Sequence, residues 1–305
     1  MSNFTFVVQS PVRGVEFVES AWSIAGDIAT KHDINVVTIE LRDQSLLRAL
    51  HRERLLEGPV MYNRPDEDIE HLYHIEHNLL EVGQFYPRIY RPMAPPFGRR
   101  RPPRDEVTAT SSLMQLASAR EQLERVFRTI APESNNFNAY GHEIRNLMLL
   151  ACTEVESECK GILKANGVKV PKDRWSTKDF VKVRDALRLE QFEVSLPMYP
   201  SLQKRTPFRG WDKDKPTESL SWYKAYNIVK HDRAEKFTEA KLIHAVDAVA
   251  ACAVLLATQY GSISGWEDQV GNFFSLSRNT SYPINETYLF PLEGEFEWKQ
   301  VKYPF

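Results

Sequence analysis

The stretch SWYKAYNIVKHDR, residues 221 to 233, gathers Asn227, Lys230, His231, Asp232 and Arg233 at one end of a helix-like segment. An amide to orient, cations to neutralise and an imidazole, the side-chain type that titrates near neutrality, suit the handling of a phosphate or a nucleobase. On a helix, residues three and four apart are neighbours. Tyr223, Asn227 and either Lys230 or His231 therefore share one face, while Trp222, Ala225, Tyr226 and Val229 turn inward. The same residues also fit a plain helix C-terminus, where Lys230, Arg233 and a protonated His231 complement the negative end of the macrodipole.

Two further clusters carry chemistry-bearing residues. In GRRRPPR, Arg99, Arg100, Arg101 and Arg104 are held extended by prolines and can meet successive phosphates, or simply solubilise a linker. In EDIEHLYHIEH, His71, His74 and His77 stand three apart beside Glu67, Glu70 and Glu76. Three-residue steps drift around a helix and the pattern is not HExxH, so the expectation is a charged surface helix with Glu67–His71 and Glu70–His74 pairs. No metal ligand is assigned. Neither a glycine-rich phosphate loop nor a GxSxG elbow occurs, and no cofactor is expected.

The elements that must position these residues divide at PMAPPFGRRRPP, which interrupts both helical and strand periodicity. The expected organisation is a mixed α/β domain over 1–91, a Pro/Arg-rich linker over 92–108, a helical bundle over 109–261 and an extended tail or hairpin over 262–305. The fold class is α+β, mainly α. Before the linker, NFTFVV and INVVTIEL read as strands, and 15–30, 43–57 and 66–82 read as helices. After it, apolar stripes predict helices over 111–130 and 141–166. A shorter one over 177–188 opens on a Ser176/Asp179 capping box. FEVSLPMYP alternates like an edge strand, because Pro197 cannot donate to a ladder. A helix from about 217 carries the opening stretch, and a last one runs from 238 to 260 with Phe237 and Leu242 as a hydrophobic staple. In the tail, TYLFPL and EFEWKQVKY read as a hairpin.

Composition excludes some classes. With 26 % charged and 42 % apolar residues over 305 positions, the chain has an ordinary globular balance, so extensive disorder is not expected. A net charge of −2 gives no global attraction to polyanions, so a nucleic-acid site must be a local patch. Cys152, Cys159 and Cys252 form no CxxC and read as buried thiols of a reducing compartment. The first residues lack a secretory pattern, and the apolar window from Ala245 contains Asp247 and is short for a bilayer. A cytoplasmic protein with no membrane partner is expected.

The helical run with Asn227 and His231 ahead of the final long helix, and with HEIRNLMLLACTEVE on an earlier one, resembles the HEPN superfamily of bacterial toxin and phage-defence proteins over about residues 110–261. That family's motif is an arginine, a polar residue, three variable residues and a histidine; His231 matches the histidine and Asn227 the polar position. Tyr226 stands where the arginine belongs, so Lys230 or Arg233 would have to supply its charge. The resemblance implies an RNA-binding protein or metal-independent endoribonuclease of a defence or toxin–antitoxin system, formed across a homodimer, with an antitoxin or defence-complex partner. His231 would be general base toward a ribose 2′-hydroxyl, with Lys230 or Arg233 at the phosphate and Asn227 orienting. Tyr223 and the four linker arginines would contact RNA. Glu154 or Glu156 would orient the histidine or a cation, unless both lie on a solvated face. The aromatic-rich helix over 219–231 is expected to supply a self-complementary dimer patch. The alternative is a non-catalytic interaction or scaffold module that kept the bundle and lost the arginine.

Overall fold

A computed structural model describes residues 3–12, 15–31, 37–56, 69, 72–92, 101–232, 235–261, 263–280, 282–289 and 297–305. The protein is α+β and mainly α. It divides into two units that are not sequential: Met1–Phe85, Arg91–Pro103 and Tyr282–Gln300 form one, while Tyr86–Tyr90, Arg104–Ser281 and Val301–Phe305 form the other.

The first unit is built on an antiparallel sheet. Strands β1 (Asn3–Val12), β2 (Val15–Ala25), β3 (Ile28–Lys31), β4 (Val37–Glu40) and β5 (Tyr73–His77) take the order β4-β3-β2-β1-β5. Gly26, at φ +62°, takes the first of the two positions that turn β2 into β3, where a side chain would be strained. Helix α1 (Leu46–Arg52) starts at Ser45, whose hydroxyl accepts the Arg48 N–H at 3.4 Å. Its Leu46, Leu47, Ala49 and Leu50 join Trp22, Ala29, Ile39 and Tyr73 in one core.

The helix expected over 15–30 is instead β2 and β3, and the register shows why the pattern misleads. Val7 pairs with Ser20 but Val8 with Val18, so Glu19 is an extra residue and the alternation changes phase there. The helix expected over 66–82 is also corrected: β5 pairs with β1 over 73–77. Because successive side chains of a strand point to opposite faces, His74 and His77 diverge and cannot share a metal. Glu67, Glu70 and His71 lie outside the described residues. Nor is there a tail hairpin among them: strand Lys299–Gln300 pairs in parallel with β6 (Gln84–Phe85), and Leu289 accepts the Gly83 N–H at 2.7 Å.

The second unit is helical. Helices α2 (Glu106–Thr129), α3 (His142–Ala165), α6 (Ser221–His231) and α7 (Leu242–Tyr260) pack together; the short α4 (Thr177–Phe180) and α5 (Val183–Ala186) lie between, with an antiparallel pair of β7 (Phe192–Ser195) and β8 (Ser275–Arg278). Asp105 caps α2 by accepting the Thr108 N–H at 3.1 Å. Ser176 and Asp179 make the capping box expected of them. Helix α7 is long and apolar enough to cross a membrane, but 83 % of its apolar window is buried within the protein, as in a core helix. Asp247 is buried on it and receives both arms of Arg205, at 2.7 and 3.0 Å.

Helix α7 begins at Leu242 rather than at 238, so the expected staple is not formed. The N–H groups of Leu242 and Ile243 donate instead to the carbonyls of Ala139 and Phe137, at 2.7 and 3.3 Å. The loop ahead of α3 thus satisfies the donors that a side-chain cap would otherwise take. Two distant segments strap the same unit. Asn166, just after α3, donates to the Pro87 carbonyl at 3.0 Å and accepts the Tyr303 N–H at 2.9 Å. Gly161 leaves room for the Arg88 guanidinium, which an alanine Cβ would strike.

Candidate functional site

Helix α6 owes its orientation to four aromatic and aliphatic anchors. Trp222 packs on Phe208 and donates its indole N–H to the Pro207 carbonyl at 2.7 Å. Ala225, Tyr226 and Val229 are buried with it. Tyr223 is buried too, only 3 % exposed, which corrects its expected place on an outward, RNA-contacting face. Its hydroxyl donates to Glu156 of α3 at 2.7 Å. The aromatic side of α6 is therefore inside its own unit, and the expected self-complementary aromatic patch is not on the surface. What faces outward is Lys224, Lys230 and His231, with Asn227 half-buried.

The cationic end has a definite geometry. Lys230 donates from Nζ to the Tyr226 hydroxyl at 2.9 Å and lies 3.8 Å from Glu156 Oε2. Its side chain remains 46 % exposed, so it can still meet a ligand. The bond to Tyr226 and the Glu156 carboxylate hold its pKa above the usual lysine value. Burial raises Tyr226 despite the neighbouring ammonium. Burial, reinforced by Glu156, keeps the Tyr223 phenol protonated. Asn227 donates to the Tyr223 carbonyl one turn back at 2.9 Å, so its amide is turned toward its own helix. His231 is exposed in the last turn. Asp232 accepts the Glu235 N–H at 3.2 Å and closes the helix end. Arg233, Arg99 and Arg100 lie outside the described residues.

Of the linker cations that are described, Arg101 is exposed and Arg104 pairs with Glu106 at 2.7 Å. Glu156 takes the role allowed for it beside a basic residue, whereas Glu154 does not. Two positions along a helix turn the side chain by roughly 200°, so Glu154 and Glu156 diverge, while Glu158 returns to the Glu154 side.

That other side holds a cluster that the sequence does not announce. Glu158, 6 % exposed, accepts from Arg88 at 2.6 Å, from Ser112 at 2.5 Å and from Gln259 at 2.6 Å. Arg88 also donates to Gln259 at 2.8 Å. Burial and the adjacent Glu158 push Glu154 up to about 7. The only signal was Glu158 lying within the apolar stripe of α3; nothing marked Arg88 as its partner. The three thiols, Cys152, Cys159 and Cys252, are free and buried, with burial raising each. Among the described residues no group of three or more His, Cys, Asp or Glu side chains is placed to hold a metal ion.

No family model, curated protein or solved structure matches the chain.

The α6 end thus combines an exposed imidazole with a cation braced by a phenol and a carboxylate. An ammonium can neutralise an anionic oxygen, and an imidazole is a side-chain type that can accept a proton.

Proposed function

We propose that the helical unit handles RNA at the C-terminal end of α6, as a metal-independent endoribonuclease-type protein of a bacterial defence or toxin–antitoxin system. The supporting observation is the 2.9 Å bond from Lys230 Nζ to the Tyr226 hydroxyl. Tyr226 occupies the position where the HEPN-like motif carries its arginine, and Lys230 brings a cation to the tip of that tyrosine. In this reading His231 takes the proton of a ribose 2′-hydroxyl. The 2′-oxygen then attacks phosphorus, the bond to the 5′-oxygen breaks, the leaving 5′-oxygen takes a proton from water and His231 gives its proton back to solvent, so the products are a cyclic phosphate and a 5′-hydroxyl end. Lys230 faces the phosphate oxygens, and Glu156 fixes its direction. Two copies, joined through the polar outward face of α6, would place two such ends together in the cytoplasm.

The test is cleavage of single-stranded and transfer RNA by His231→Ala beside the wild type, with and without a chelator. Cleavage should vanish in the variant and persist in chelator. The variant's stability should stay within about 0.5 kcal/mol of wild type, since the imidazole is exposed. Wild type that leaves both RNAs intact, or a variant that cleaves normally, refutes the catalytic reading.

A second reading, a non-catalytic interaction module, draws on Glu156. Its carboxylate lies 3.8 Å from Lys230 and offsets part of the charge a phosphate would need. Under that reading RNA remains uncut while partner binding depends on Lys224, Lys230 and His231.

A further inference from the structure

Between 160 and 178 the chain carries Lys160, Lys164, Lys169, Lys172, Arg174 and Lys178 against a single carboxylate, Asp173. A protein of net charge −2 has concentrated these cations at one end of α3 and in the turn that follows. Lys160 and Lys164 sit near the helix C-terminus, where cations complement the macrodipole. That effect fades within the last turn and does not account for the four beyond it.

The turn draws the two helix lysines onto one carboxylate. Asp173 accepts Trp175 Nε1 at 2.6 Å and lies 3.4 Å from Lys160 Nζ and 3.0 Å from Lys164 Nζ. Those bonds, the one from Trp175 first, hold its carboxyl at about 2. Its charge is thus directed toward the two helix lysines. Lys172 and Asp173 both adopt left-handed backbone, φ +53°, an uncommon pair for residues with side chains. Lys169, Lys172, Arg174 and Lys178 are exposed and form no ion pair among the described residues. The C-terminal segment adds another cation: Lys302 Nζ lies 3.0 Å from where a Cβ on Gly167 would stand. Four exposed cations within ten positions, none with a counter-charge among the described residues, leave a positive surface that an anion can meet.

We propose that this turn, through Lys169, Lys172 and Arg174 with Lys302 beside Gly167, is a docking surface for the phosphate backbone of RNA. The proposal rests on the RNA reading of the α6 end and deepens it: the turn holds the strand, and α6 acts on it. A lipid surface fits less well, because no large apolar side chain between Leu150 and Met198 is exposed.

The experiment uses the full chain and a fluorescent unstructured oligoribonucleotide, with anisotropy measured over a potassium chloride series. The variant is Lys169→Ser with Lys172→Asn and Arg174→Ser, asparagine being chosen because it tolerates left-handed backbone. Three lost phosphate contacts should flatten the slope of log K against log salt by about 2. Affinity at low salt should drop by about tenfold or more, with an unchanged circular-dichroism melt. If wild type binds RNA and the triple variant keeps both affinity and slope, the docking surface is wrong and the RNA reading stands. If the triple variant loses binding but wild type cleaves nothing, the surface stands and the α6 chemistry falls. Absence of RNA binding by wild type, or preference for phosphatidylserine vesicles over RNA, overturns the proposal.

Discussion

Replacing Glu154 with glutamine should make the helical unit more stable at pH 8 and change it little at pH 5. Burial and Glu158 raise the Glu154 carboxyl from 4.5 to about 7 in the fold. An acid whose pKa is raised keeps its proton longer when folded than when unfolded. Between those two values the folded state binds more protons, so stability falls as pH rises and levels off above about 7. Glu154 is only partly buried, so solvent screens the repulsion and the effect is on the order of 1–2 kcal/mol, mostly accruing between pH 5 and 7. Glutamine has the same shape, donates a hydrogen bond toward Glu158 as the protonated acid does, and never ionises. Urea unfolding followed at the helical circular-dichroism band, at pH 5, 6, 7 and 8, separates the two proteins. The variant-minus-wild-type difference should grow from near zero at pH 5 to about 1–2 kcal/mol at pH 8, while histidine titrations common to both cancel. Parallel curves at constant offset would refute the account of a carboxyl held neutral against Glu158.

Arg88→Ala should destabilise the same unit by about 3–5 kcal/mol, because it breaks a buried ion pair and leaves Glu158 with only Ser112 and Gln259 as donors. Arg88→Lys should recover little in a melt, since one ammonium cannot reproduce the two-armed reach to Glu158 and Gln259. Tyr226→Phe removes the hydroxyl that holds Lys230 and should cost about 1 kcal/mol in stability. If Lys230 serves the phosphate, RNA cleavage by that variant should slow while RNA affinity, read by anisotropy, changes less.

Helices were legible wherever a stripe ran unbroken. The 24-residue helices α2 and α3 each carry an apolar face over many turns, and Pro132 and Gly167 mark their ends. The sheet was less legible because its information lies in pairing. The extra residue at Glu19 shifts the alternation of β2, and β5 becomes a strand by joining β1 from more than sixty positions away. The α6 end was legible in its residue types, since Asn227, Lys230 and His231 stand where helix spacing puts them. Their partners were not. That Tyr223 turns inward to Glu156, and that Lys230 bends back to Tyr226, depends on α3 packing against α6. Arg88 was invisible as a site residue because a strap brings it to Glu158 from seventy positions earlier in the chain.

Helix α3 ties these features together through angle alone. Glu154 and Glu158, four apart, face the Arg88 strap; Glu156, between them, faces α6; Lys160 and Lys164 carry positive charge to the turn at its end. Moving any of these carboxylates by two positions would exchange their surroundings. Glu156 placed on the strap side would leave Lys230 without its brace, and Glu158 placed toward α6 would take from Arg88 the carboxylate it reaches at 2.6 Å. The acidic run TEVESE therefore reads as three separate commitments rather than as one solvated face. The consequence for function is that the direction of Lys230 is set by the packing of α3, so the α6 end is preorganised by the same helix whose far end gathers the cations proposed to hold RNA.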